Sequence, residues 1–228
     1  MTEVKHLAII MDGNRRWARA QGLPTLEGHR RGYDRIKEVG DWCIDRGITT
    51  LTVYAFSTEN WKRSVEEVAY LMDLLKIGLT HEIGGFIAKG IRLQVIGERE
   101  GLSPELQQAI AEAEQKTAGG TRGLLNLAIN YGGRLEIVRA VQKLMNDGVT
   151  ADQISEELIT GALWTAGQAD PDLIIRTSGE QRLSGFLTWQ SVYSELYFCQ
   201  KHWPEFGEAD LDAALEDYAQ RQRRFGAG

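Results

Sequence analysis

The chain has 228 residues, 43% of them hydrophobic and 25% charged, with a formal net charge of -6. An ordinary globular composition at that length bounds one α/β domain. The acidic balance argues against a general nucleic-acid binder, whose backbone contacts need a basic surface. It leaves room for a local basic pocket.

Taken in chain order, Val4 to Met11 reads as a buried strand that stops at Asp12-Gly13-Asn14-Arg15-Arg16-Trp17. Open α/β sheets hold ligands at the carboxyl ends of their strands. The groups offered there are a hard-metal ligand and guanidinium forks, which suit a metal-bound diphosphate. An Asp N-cap followed by solvated arginines is the plain alternative for this segment. Gly28–Arg46 follows as a helix, with His29 near its start, where an anion is favoured. Thr49–Phe56 is a second strand, delivering Ser57-Thr58-Glu59-Asn60-Trp61. Polar groups beside aromatics suit an amphiphile, although a Ser cap on the next helix is a serious rival.

Val65–Lys89 reads as one long helix with a broad apolar face. It is a core helix that can also wall an apolar tunnel, with Gly84-Gly85 permitting a bend. Further strands are expected at Ile91–Ile96, Leu124–Asn130, Leu173–Arg176 and near Leu196–Phe198. Helices are expected at Pro104–Ala118, Arg134–Asp147 and Glu208–Arg224. Gly47, Gly90 and Gly148 sit where C′ glycines end helices. Strands alternating with helices imply a single α/β domain with a mostly parallel central sheet flanked by helices and an apolar tunnel beside it.

After the fifth strand come Arg176, Arg182, Leu183 and Ser184, two arginines on a loop able to grip a diphosphate from two sides. Glu195 lies in an apolar context and needs a partner, for which a metal ion is one candidate. Cys43 and Cys199 lack metal or redox spacing and read as buried free thiols of a cytoplasmic protein. No P-loop, zinc or nucleophile-elbow pattern appears. No segment approaches the roughly 20 apolar residues of a membrane span, and peripheral membrane contact is left open.

Several stretches together resemble the cis-prenyltransferase family. They are His6 to Ala18, Gly28-His29, Tyr54 to Trp61, Asn130-Tyr131-Gly132-Gly133-Arg134, Asp172 to Phe198 and Arg223-Arg224-Phe225-Gly226. The resemblance implies Mg²⁺-dependent condensation of isopentenyl diphosphate with an allylic prenyl diphosphate to give a Z-polyprenyl diphosphate of the undecaprenyl, cell-wall carrier type. A short-chain Z-farnesyl-type synthase and a non-catalytic isoprenoid-binding accessory subunit are the alternatives. Carried over by position, Asp12 is the metal ligand, and Gly13, Asn14, Arg16 and His29 surround the allylic diphosphate. Arg176, Arg182 and Ser184 hold isopentenyl diphosphate, with Glu195 on its metal. Ser57, Glu59, Asn60, Trp61 and Arg63 line the space between, and Asn60 is tied to proton removal. Trp17, Thr58 and Leu183 complete the implied binding set.

The resemblance also implies a homodimer in which the Arg224–Gly226 tail reaches the partner's site. The chain departs from the family pattern at Thr25, where an arginine is common, and at Arg15, where glycine is common. Arg15 or Arg30 is expected to supply the missing cation. Gln181 stands where some members have histidine. Ala55 favours a long product and Ile129 a shorter one.

Overall fold

The computed structural model describes residues 3–221. Its elements alternate as the apolar runs require. The strands are β1 (His6–Ile10), β2 (Thr50–Ser57), β3 (Ile91–Ile96), β4 (Gly123–Tyr131), β5 (Leu173–Arg176) and β6 (Glu195–Phe198). They form one sheet of order β3-β4-β2-β1-β5-β6, with every pairing parallel. Both faces are covered, so the strands are near-continuous in Val, Ile and Leu rather than strictly alternating.

The helices are α1 (Asn14–Ala20), α2 (Thr25–Asp45), α3 (Val65–Thr80), α4 (Ile83–Ala88), α5 (Pro104–Thr117), α6 (Gly133–Asn146), α7 (Glu156–Ala162) and α8 (Glu208–Gln220). Leu7 and Ile9 on one face of β1 pack with Val39 and Cys43 of α2 and with Leu211 and Ala214 of α8. Ala8 and Ile10 on the other face pack with Phe186 and Leu187. This is the two-residue period of a strand.

Three details differ from the sequence reading. The long helix is interrupted between Thr80 and Ile83, ahead of Gly84-Gly85, which lie inside α4. The helix carrying His29 begins at Thr25, so His29 sits one turn inside it. Helices α1 and α7 are additional; α7 is short and capped by Ser155, whose side chain accepts from the Leu158 N–H. Gly47, Gly90 and Gly148 all have positive φ, as helix-ending glycines do. The expected end of the last helix, and the Arg224–Gly226 tail, lie outside the described residues.

Strand order reverses around β1. The chain first builds outward through β2, then places β5 and β6 on the opposite side. The crevice between the carboxyl ends of β1 and β5 is therefore a topological switch point, where such sheets bind ligands.

Candidate active site

Asp12 follows β1, and Arg176 is the last residue of β5, paired in register with Ile10. Arg176 is almost wholly buried, at 5% exposure. It donates from Nη2 to Asp12 Oδ2 at 2.8 Å and from Nη1 to Ser184 Oγ at 2.8 Å. It also donates to the Arg182 carbonyl. Arg16 reaches Asp12 Oδ1 at 3.1 Å and Glu180 at 3.0 Å. Burial alone would raise the Asp12 carboxyl. The hydrogen bond and charge of Arg176, with Arg16 adding to them, outweigh burial and hold the group below the usual carboxylate range.

The loop after β5 is conformationally strained. Ser178, Ser184 and Leu187 all have positive φ without being glycine. Such strain gathers at ligand sites, where the surrounding structure enforces it. Arg182 pairs with Glu180 at 2.5 Å, and Leu183 packs into the core beneath the loop.

A second cationic group lies on the other side of Asp12. His29 Nε2 is 3.0 Å from Glu67 Oε1, and Arg63 Nη1 donates to the same oxygen at 2.9 Å. Arg15 lies 3.7 Å from Glu67 Oε2. Burial lowers the His29 pKa; the bond to Glu67 opposes that but does not cancel it. A neutral His29 facing a carboxylate carries its proton on Nε2, because the carboxylate can only accept. Arg30 pairs with Asp34 instead and lines neither site cavity.

Two cavities meet at these residues. One, of about 350 Å³, is lined by Asp12, Asn14, Arg15, Arg16, His29 and Arg63, and continues along Ile36, Ala55, Leu71, Leu74 and Leu75. The other, of about 580 Å³, is lined by Asp12, Ser57, Thr58, Glu59, Arg134, Arg176 and Ser184. Asp12, Tyr54, Asn60 and Arg63 border both. One cavity thus has a cationic head and an apolar tail, whereas the other is polar.

Local sequence explains the shaping. Gly13 has φ +100°, and a Cβ there would sit 2.6 Å from His202 Nδ1. A Cβ on Gly28 would lie 2.1 Å from the Asn14 carbonyl oxygen, so that glycine lets α2 pack against the start of α1. The β2–β4 register shifts around Tyr54 and Phe56, which marks a bulge at Ala55. Bulges re-aim side chains beside active sites. Ser57 opens a single 3₁₀ turn and its N–H donates to Asn60 Oδ1 at 3.0 Å, so the capping role expected of this segment is real. The Trp61 indole donates to Asn130 Oδ1 at 2.7 Å, which ties the Asn130-Tyr131 motif to the Ser57 loop. Trp17 lies in α1, beside Arg16.

Glu195 is not brought to this cluster. It opens β6 opposite Leu173, at the amino end of the sheet, whereas Arg176 pairs with Phe198 at the carboxyl end. Its partner is Arg221, at 2.7 Å. Ile129, in β4, is fully buried in the core and lines neither site cavity. Glu67 belongs to the site, yet in sequence it is only an acid in the first turn of a helix. Its four-residue spacing from Arg63 is the one signal that marks it.

The family model described as "Putative undecaprenyl diphosphate synthase" matches residues 10–226. The chain belongs to this family. It is 49% identical to the ditrans,polycis-undecaprenyl-diphosphate synthase ((2E,6E)-farnesyl-diphosphate specific) of Pseudomonas aeruginosa, covering 97% of this chain and 90% of that protein. It is 50% identical to an isoprenyl transferase of Chromobacterium violaceum, covering 97% and 88%. Among solved structures, lavandulyl diphosphate synthase from Lavandula x intermedia, in complex with dimethylallyl diphosphate, superposes with TM-score 0.93 at 38% identity, covering 98% of each chain. A probable undecaprenyl diphosphate synthase from Campylobacter jejuni gives 0.84 at 32%, covering 99% of this chain and all of that one. The fold, the family and a prenyltransferase activity are thereby established together for this chain.

Among the described residues, no group of three or more His, Cys, Asp or Glu converges to cage a metal. Asp12, the carboxylate at the junction of the two cavities, fits Mg²⁺, which is commonly held by one or two carboxylates together with substrate phosphates. The donor set therefore agrees with the metal the family resemblance implies.

Proposed function

We propose that the chain condenses isopentenyl diphosphate with an allylic prenyl diphosphate, using Mg²⁺, to form a Z-polyprenyl diphosphate of the undecaprenyl type. The observation that carries this reading is Asp12 at the junction of two cavities, each with its own cations. The cavity with the apolar extension takes the allylic substrate, its diphosphate against Asn14, Arg15, Arg16, His29 and Arg63 and its tail along Ala55, Leu71, Leu74 and Leu75. The polar cavity takes isopentenyl diphosphate against Arg176 and Ser184, with Arg134 at its wall; Arg182 does not line it, its side chain pairing with Glu180 while its carbonyl accepts from Arg176.

In the reaction the allylic C–O bond breaks, a C–C bond forms to the isopentenyl double bond, and diphosphate and a proton leave. Asp12 would hold Mg²⁺, which when bound offsets charge on the departing diphosphate. Arg16 and Arg63 donate to the same oxygens, and their fixed positions favour the charge that develops; His29, its Nε2–H given to Glu67, holds that carboxylate beside Arg63. Asn60 already spends its carbonyl oxygen on the Ser57 N–H, which leaves its amide N–H groups as donors. It therefore orients the reactants, and the proton passes to diphosphate or an ordered water.

A further apolar cavity of about 110 Å³ lies beyond Ile36, which borders both it and the tail cavity. The stripe of α2 from His29 to Ile44 that faces the two spans roughly 22 Å at 1.5 Å per residue. This in-line space supports a long product over a short one.

The proposed assembly is a homodimer. Arg221, the last described residue, pairs with Glu195 at the amino end of β6, and the family resemblance implies that the tail following it serves another copy's site. Val192 and Tyr193 are exposed apolar surface just before this edge strand. Among the described residues no helix is long and apolar enough to cross a membrane. Any membrane contact is therefore assigned to peripheral binding around the hydrophobic product.

The test is incorporation of radiolabelled isopentenyl diphosphate onto farnesyl diphosphate, with and without Mg²⁺. Metal-dependent incorporation into long-chain product supports the reading. No incorporation with any allylic primer would favour the isoprenoid-binding alternative.

A further inference from the structure

Glu67 is the carboxylate that His29, Arg63 and Arg15 of the tailed cavity share, and it is 7% exposed. It is the third residue of α3, and Ser64 caps that helix by accepting the Glu67 N–H at 3.3 Å. Ser-x-x-Glu is the capping-box pattern, in which the glutamate side chain turns back to the cap. Here the carboxylate is taken up by His29, Arg63 and Arg15 instead. Burial would raise its pKa; the bond from His29 and the charges of Arg63 and Arg15 outweigh burial and hold it low.

A buried anion in the wall of an anion site repels the ligand, so its presence needs a reason. The geometry supplies one. His29 and Arg63 come from different elements, α2 and the end of the 3₁₀ turn, and neither element fixes the other. Both bond to the same oxygen, Oε1. Arg63 has several rotatable bonds, and without an anchor it would sample many positions at an entropic cost to binding. The two arginines still outnumber the carboxylate, so the pocket stays cationic.

We propose that Glu67 is a positioning residue for the allylic half-site, holding His29 and Arg63 on a common oxygen so that Arg63 is presented to the diphosphate. This rests on the prenyltransferase reading above. It assigns Glu67 no contact with substrate and no part in proton transfer.

Glu67→Ala removes the shared oxygen, whereas Glu67→Gln keeps an Oε1 able to accept from both partners. Misplacing binding groups by about 1 Å can cost on the order of 100-fold. Glu67→Ala is therefore expected to raise the KM for farnesyl diphosphate by roughly 10–100-fold, with a much smaller rise in the KM for isopentenyl diphosphate, whose cavity Arg63 only borders. Glu67→Gln is expected to restore most of that loss. In an Arg63→Ala background the Glu67→Ala effect shrinks, because half of what it anchors is gone.

Equal impairment of the Ala and Gln variants would overturn the proposal, as would a parallel rise in both KM values or an unchanged farnesyl diphosphate KM. Titration calorimetry with inorganic diphosphate separates this from failure of the functional reading. If the parent chain binds diphosphate but turns nothing over, the reading of function fails. Weakened diphosphate binding in Glu67→Ala with recovery in Glu67→Gln would still uphold the positioning role.

Discussion

At the scale of single residues, the account turns on Asp12 and the cations placed on either side of it. Asp12→Ala removes the metal ligand and leaves Arg176 buried without its carboxylate partner. Turnover is expected to fall by at least about 10³-fold, measured as isopentenyl diphosphate incorporation under saturating substrates. A loss under tenfold would remove Asp12 from the chemistry. The two compensating cations considered for Thr25 separate cleanly, because Arg15 lines the allylic cavity and Arg30 pairs with Asp34. Arg15→Ala should raise the farnesyl diphosphate KM by roughly tenfold, a typical value for one charge-assisted contact, while Arg30→Ala leaves it alone. The reverse order in steady-state kinetics would contradict the assignment. Much of the site was legible because strand-end charges announce themselves. Asp12 follows one apolar run and Arg176 terminates another, with Ser184 on the polar loop after it. Glu67 was not legible, since an acid in a first helical turn has an ordinary explanation in the helix dipole. Glu195 was misplaced for a related reason. Sequence proximity to the Arg176 loop says nothing about which end of the next strand a residue occupies, and register puts Glu195 at the far end.

Among elements, the parallel strands were readable from their apolar runs, and their carboxyl ends converge because a parallel sheet aligns them. What sequence could not supply was order. Only the pairing of β1 with both β2 and β5 reveals the switch point that brings Asp12 and Arg176 together. The bulge in β2 was equally hidden, yet it explains how Tyr54 and Ala55, adjacent in sequence, both border the tail cavity. Product length is argued at this scale. Ala55→Leu adds bulk to the cavity wall and should shift product to shorter chains on thin-layer chromatography. Ile129→Ala should leave length unchanged, because Ile129 is buried core that lines neither site cavity. Its cost is stability, about 2–5 kcal/mol for deleting a buried Ile side chain, read from a denaturant titration. A lengthened product from Ile129→Ala would restore that position as the ruler. The break between α3 and α4 went unseen because apolar spacing continues across His81-Glu82, and periodicity alone does not report a change of axis.

For the whole molecule, pH links the sheet to stability. His6 bridges β1, β2 and the approach to β5, with Nδ1 donating to the Ala169 carbonyl at 2.7 Å and Nε2 accepting from Thr52 Oγ1 at 2.7 Å. Burial holds His6 below the ordinary imidazole range in spite of the bond to Ala169. The unfolded chain therefore takes up protons near pH ~6.5 before the native state does. That contribution is full above the unfolded value and is lost as pH falls through the lowered native one. The urea midpoint should drop between about pH 7.5 and 5.5, and His6→Gln should flatten part of that slope. Glu136, raised by burial, acts with the opposite sign, so the difference in slope between parent and variant is the readout. An identical slope in both would show that His6 does not titrate as described. The account's central claim is that two diphosphates meet across Asp12, and the most direct measurement is single-turnover condensation of labelled isopentenyl diphosphate with farnesyl diphosphate. It compares the parent, Arg176→Ala and Arg15→Ala with excess Mg²⁺. The account predicts that Arg176→Ala raises the isopentenyl diphosphate concentration needed for half-maximal rate by at least about tenfold, whereas Arg15→Ala raises that for farnesyl diphosphate instead. Equal effects of each substitution on both substrates would contradict the two-cavity arrangement.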